Sequence, residues 1–92
     1  MEIVAVKKIT TTGVILATGG FFVSAVLAAG ADAATLILYD DPDSANGTEI
    51  LKLSAVATGY AEWSPGAKIA VYNGIWAVLT GATPQATVAF KG

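Results

Sequence analysis

Turn-forming residues interrupt this chain so often that no long element fits between them. Thr10-Thr11-Thr12-Gly13, Thr18-Gly19-Gly20, Gly30-Ala31-Asp32-Ala33, the cluster from Asp40 to Gly47, Ala57-Thr58-Gly59, Ser64-Pro65-Gly66, Asn73-Gly74 and Gly81-Ala82-Thr83-Pro84 follow one another at roughly 8–12 residues. The runs between them are short, apolar and rich in β-branched and aromatic side chains, which suit a half-buried pleated surface better than a helix. The expected fold is therefore all-β: a small antiparallel β-sandwich or jelly-roll-like barrel of about 7–8 short strands.

The clearest unit is the stretch from Ala33 to Leu53. Thr35–Tyr39 reads as a strand, Asp40 to Gly47 as a polar turn, and Ile50, Leu51 and Leu53 as the returning strand, in which Leu51, Leu53 and Ala55 alternate with Lys52 and Ser54. Tyr60–Trp63 is a further strand, ended by Ser64-Pro65-Gly66, whose Pro and Gly order predicts a type II turn. Lys68–Tyr72 and Ile75–Leu79 flank Asn73-Gly74, the pattern of a type I′ hairpin. Ala86–Phe90 is the last strand. Gly30 to Tyr39 and Gly81 to Phe90 echo each other faintly, as two uses of one hairpin grammar.

The run from Val14 to Ala31 carries no charge. With Lys7-Lys8 before it and Ala31-Asp32-Ala33 after it, it has the outline of a secretory signal, and it approaches the length of a membrane span. Gly19-Gly20 in its middle and the β-branched Val14, Ile15, Val23 and Val26 weigh against a helix. Two paired strands, Val14–Ala17 and Phe21–Ala28, fit better. Phe21, Val23, Ala25 and Leu27 then share one face; Phe22, Ser24, Val26 and Ala28 share the other. Neither face is strongly polar, as expected of a strand inside a sandwich or against a neighbouring subunit.

A length of 92 residues supports one core, and the expectation is a single domain, 1–92, with residues 1–12 as an N-terminal arm or edge strand. Only 13% of residues are charged while 54% are hydrophobic. A free-standing monomer carries about 25% charge, so the deficit points to a surface covered by partners, self-assembly first among them. Five cations, none of them Arg, and a net charge of −2 leave too little positive charge for a nucleic-acid surface. No membrane role is expected.

With no Cys and no His, the common nucleophile–base pairs cannot be assembled, and no enzyme, cofactor or thiolate metal site is expected. Asp40, Asp41, Asp43, Asn46 and Glu49 form the one dense set of oxygen ligands. Asp41 and Asp43 match the first and third places of a calcium loop, but Ala45 takes the fifth place and Asn46, not Gly, the sixth. A solvated turn whose Asp and Asn side chains bond their own backbone explains the same residues without a metal. Glu49 and Glu62 are the carboxylates a glycosidase reading would use, and nothing in the sequence pairs them. Trp63, Trp76, Tyr60 and Tyr72 suit either a sugar platform or contacts in a core or interface, and their area favours contact. The interface candidates are Phe21, Phe22, Trp63, Tyr72 and Trp76.

The segments Ala28–Asp41, Gly47–Leu53, Asn73–Val78 and Thr80–Val88 resemble, in their succession of apolar strand, "AGADAAT", "LYDD" turn, Gly-Thr exit, Lys-Leu strand, "NG" turn and "TG" turn, a class of small structural proteins of tailed bacteriophages. The resemblance covers most of residues 28–90 and little of the first dozen. It implies a virion component, with a capsid decoration (cement) protein favoured: made in the host cytoplasm, homo-oligomeric with a trimer favoured, and bound to the major capsid protein or another virion protein. The alternatives are a tail- or fibre-associated glycan-binding module using Trp63, Trp76 or the acidic loop, and a secreted or membrane-anchored small β protein using Val14–Ala31 as a targeting segment.

Overall fold

The computed structural model describes residues 4–64 and 66–92. Nine antiparallel strands are present among them, one or two more than the turn spacing predicts: β1 (Ala5–Ile9), β2 (Gly13–Leu16), β3 (Gly20–Ala28), β4 (Ala34–Asp40), β5 (Thr48–Ala55), β6 (Tyr60–Trp63), β7 (Ile69–Val71), β8 (Ile75–Thr80) and β9 (Gln85–Lys91). They form two sheets, as in a β-sandwich. The front sheet runs β1-β9-β3-β6, with β7 also on β3, and the back sheet runs β2-β8-β4-β5. β6 and β7 lie along one side of β3, opposite Ala25–Ala28 and Gly20–Phe22 respectively. β1 is thus an edge strand on β9.

One core fills the space between the sheets. Phe22, Leu27 and Val88 project into it from the front sheet, and Leu36, Leu38 and Ile75 from the back sheet; among the described residues these six are the largest fully buried side chains. Burying each of these side chains contributes about 1.5–3 kcal/mol. No polar or charged residue is buried among the described residues, so the core carries no desolvated polar group to compensate.

The expected hairpin of residues 33–53 is present as β4 and β5, with Leu36 opposite Leu53 and Leu38 opposite Leu51. Elsewhere the turns are where the sequence puts them, but they join different partners. β2 and β3, expected to pair with each other, belong to different sheets. So do β7 and β8, and Asn73-Gly74 is a crossover, not a type I′ hairpin. Gly74 has φ +145°, whereas Asn73 lacks the positive φ that such a turn requires at both positions. Six of the eight connections between consecutive strands cross between sheets. The two echoing segments are crossovers as well: 29–33 leads from β3 to β4, and 81–84 from β8 to β9. They press together so closely that a Cβ on Gly30 would overlap the Thr83 hydroxyl. Gly66 has φ +78°; the rest of the predicted type II turn involves Pro65, outside the described residues.

The face assignment along β3 is corrected by a bulge. Phe22 pairs with Phe90 and Ser24 with Ala89, so Val23 is an extra residue on β3. An inserted residue resets a period of two. Phe22 therefore shares the core side with Ala25 and Leu27, while Phe21 and Val26 turn outward, 37% and 38% exposed.

The crossover from β5 to β6 holds a strained residue. Thr58 has φ +60°, a region that a β-branched side chain rarely occupies. It stays there because its N–H donates to the Gly30 carbonyl at 2.8 Å while the Gly59 N–H closes the turn on the Val56 carbonyl at 2.9 Å. Replacing Thr58 with glycine should raise stability by about 0.5–1 kcal/mol, visible as a higher melting temperature; a lower one contradicts the strain.

Candidate functional site

Alternation along the strands gives each sheet an outward face, and each face carries large apolar side chains, interspersed on the front sheet with polar ones. On the front sheet, Val6, Ala89 and Ser24 lie side by side, then Lys8, Thr87, Val26 and Glu62, then Ala28 and Tyr60. Phe21 faces outward opposite Lys91 and Ala70, with the Lys68 ammonium 5.1 Å from its ring centroid. Val6, Phe21, Val26 and Tyr60 supply four of the seven large apolar side chains that are exposed among the described residues. On the back sheet, Val14, Trp76, Tyr39 and Glu49 form one row, and Val78, Ile37 and Lys52 the next. Thr80, Thr35 and Ser54 complete it.

The interface candidates separate in this arrangement. Phe21 is on the front outer face and Trp76 on the back outer face. Tyr72, in the β7–β8 crossover, is 82% exposed. Phe22 has no surface to offer a partner, being 0% exposed because of the Val23 bulge. Trp63 packs on the core with its ring stacked on Phe22, centroids 5.2 Å apart and planes at 16°. Trp63 and Trp76 thus sit on different sheets, and the structure does not bring them into one aromatic platform. Sequence reasoning missed Val6 and Val26 as surface residues, while Tyr60, weighed there as a platform or contact residue, is exposed. The signal for Val6 was local alternation at a sheet edge, whereas Val26 stands on a strand both of whose faces read as apolar.

The acidic loop is organised by its own backbone. Asp41 Oδ1 accepts hydrogen bonds from the N–H groups of Asp43 and Ser44 at 2.9 and 3.0 Å. The Asp43 N–H holds the Asp41 carboxyl below the usual aspartate range, with desolvation acting the other way and Ser44 adding to the lowering. Among the described residues no group of three or more Asp, Glu, His or Cys side chains is placed to hold a metal ion. A folded-state value below the unfolded one means that the stabilisation is complete above about pH 3.9 and lost as pH falls through the folded value. Asp41→Asn should accordingly be less stable than the wild type at neutral pH, by a margin that shrinks in acid. Urea midpoints across pH check this, and a margin constant into acid contradicts it.

Asp40 has a different task, which sequence inspection could not reveal because its partners are 32 and 33 residues away. Its carboxylate accepts the N–H of Tyr72 at 3.1 Å and that of Asn73 at 2.8 Å, tying the end of β4 to the β7–β8 crossover. At the front edge, Lys7 Nζ donates to the Val14 carbonyl at 2.8 Å. That bond links β1 to β2 and occupies an edge carbonyl otherwise open to strand addition. At the opposite end from the acidic loop, a shallow cavity of about 290 Å³ is lined by Thr10, Ala82, Thr83, Pro84 and Gln85, with no titratable group. The uncharged run of residues 14–31 is divided between β2 and β3, and no helix among the described residues is long and apolar enough to cross a membrane.

No protein-family model, no curated protein and no solved structure matches this chain.

Proposed function

We propose that the chain is a non-enzymatic structural protein of a tailed-bacteriophage virion, acting as a decoration protein that binds the capsid surface as a homo-oligomer, with a trimer as the expected number. The observation that carries this reading is the set of large apolar side chains on the two outer faces, Val6, Phe21, Val26 and Tyr60 on one side and Tyr39, Trp76, Ile37 and Val78 on the other. Apolar surface on both sides of a thin sandwich is suited to being covered. The low charge and the resemblance of residues 28–90 to phage structural proteins support the same reading. The separation of Trp63 from Trp76 gives the glycan-binding alternative less support.

Decoration needs area and copy number, not a reactive centre. Covering apolar surface stabilises a shell by about 2.5 kcal/mol per 100 Å², and repetition over many sites on one shell multiplies the effect. The test is to add the purified chain to capsids that lack it. Saturable binding with a rise in the temperature at which the shell opens is the expected result. A stable monomer with no affinity for capsids, or a position in the tail in electron micrographs of virions, overturns the reading.

A further inference from the structure

Of the strands that end a sheet in this fold, all but β5 are blunted. β1 is tied across to β2 by the Lys7 bond to the Val14 carbonyl, β2 has four residues and a register shift between Val14 and Leu16, and β6 and β7 have four and three residues. Short strands, lysines and irregular register are the usual protection of a sheet edge. β5 differs: it runs for eight residues without proline, paired along one side with β4 and, among the described residues, with no strand on the other. Its outer edge presents backbone N–H and C=O groups to whatever strand comes alongside.

The side chains of β5 select that strand. Leu38 pairs with Leu51 and Tyr39 with Glu49, so Ile50 is an extra residue, and it packs on the core as Leu51 does. Counting away from the Ile50–Leu51 peptide bond, Ile50 and Leu51 are both on the core side, Glu49 and Lys52 both on the outer face, and Thr48 and Leu53 both on the core side again. The order of faces is a palindrome. Residues directly opposite in an antiparallel pair share a face, so a second β5 laid antiparallel about the same centre matches every face from Thr48 to Leu53. A slip of one residue either way sets Ile50 against Lys52 or Leu51 against Glu49. In the matched register Ile50 meets Leu51 twice and Glu49 meets Lys52 twice. Glu49 and Lys52 are exposed and, among the described residues, have no ion pair of their own.

We propose that two copies of this chain join edge to edge through β5, antiparallel about a two-fold axis at the Ile50–Leu51 bond. The two four-stranded back sheets then run on as one continuous sheet. The half-buried Ile50, Leu51 and Leu53 of each copy are covered by their counterparts, and the two Glu49–Lys52 pairs fix the register. Such a contact is isologous and closed. It gives each copy one neighbour, whether that copy is otherwise alone or held in the trimer proposed above, and it does not rest on the capsid reading.

Charge reversal at these two exposed positions tests the register without touching the core. At about 1 mM protein, the wild type should sediment with twice the mass of either Glu49→Lys or Lys52→Glu, because each single change sets like charges opposite one another twice. An equimolar mixture of the two variants should recover the paired mass with one chain of each kind, and the double variant E49K/K52E should recover it alone. Circular dichroism verifies that all three fold. A wild type that stays unpaired at this concentration overturns the proposal, as does a pair that survives both single changes or fails to return in the mixture. Capsid binding by single variants that no longer pair leaves the function proposed above standing, and pairing by a chain that ignores capsids leaves the β5 contact standing.

Discussion

Replacing Phe22 by alanine lowers the stability of the sandwich by about 3–5 kcal/mol, whereas the same change at Phe21 costs about 1 kcal/mol. Phe22 is 0% exposed and stacked on Trp63, so truncation opens a cavity between the sheets and removes a ring contact in the same step. Phe21 is 37% exposed, with its ring under the Lys68 ammonium, and its loss leaves the core intact. Domains of this size have only about 5–15 kcal/mol in total, so Phe22→Ala should lower the melting temperature by roughly 15–30 °C. The comparison is sharp because unbroken alternation along β3 would put Phe21, with Ala25 and Leu27, on the buried side. Thermal melts that rank Phe21→Ala as the more damaging change would show that the Val23 bulge is misplaced.

Gly74→Ala should cost about 3 kcal/mol or more, several times the cost of Gly66→Ala. Both glycines have positive φ, +145° and +78°, so both substitutions meet backbone strain. What differs is the space. A Cβ on Gly66 would have nothing within 4 Å, and the expected cost is the conformational one, about 1–2 kcal/mol. A Cβ on Gly74 would run into the Leu16 carbonyl oxygen and lie 3.1 Å from Pro42 Cα. These are backbone atoms at the end of β2 and in the acidic loop, and they cannot step aside without disturbing two other connections. Asp40 clamps the same crossover through the N–H groups of Tyr72 and Asn73, which leaves it little freedom to relax. Urea midpoints of the two variants measure the difference, and equal losses would contradict the crowding.

Much of the local structure was legible before any tertiary contact was considered. The hairpin of residues 33–53 was readable because the inward alternation of Leu51, Leu53 and Ala55 and the turn chemistry of the acidic loop lie close together in sequence. The self-bonding of the loop was readable for the same reason, since Asp41 reaches only to Asp43 and Ser44. The proposed surfaces were only partly legible. Phe21 and Trp76 were named as contact residues and do lie on outer faces, while Phe22 was assigned to the surface and lies in the core. Nothing in the order of residues separates Phe21 from Phe22; a one-residue insertion between two pairing registers does.

The order of residues is enough to make the chain all-β, to place nearly every strand's ends and to leave little charge to keep its surface in water. Those properties depend on neighbouring residues: the φ preferences of Gly, Asn and Pro, the alternation of side chains along an extended backbone, and composition. Tertiary contacts alone set which strands share a sheet, that Asn73-Gly74 is a crossover and not a hairpin, and that Val23 is a bulge. Each of these depends on pairing across long separations, such as β1 with β9 and β3 with β9. A turn reverses the chain in the same way whether the next strand joins the same sheet or the facing one, and the choice is made by which arrangement buries Phe22, Leu27, Leu36, Leu38, Ile75 and Val88 together.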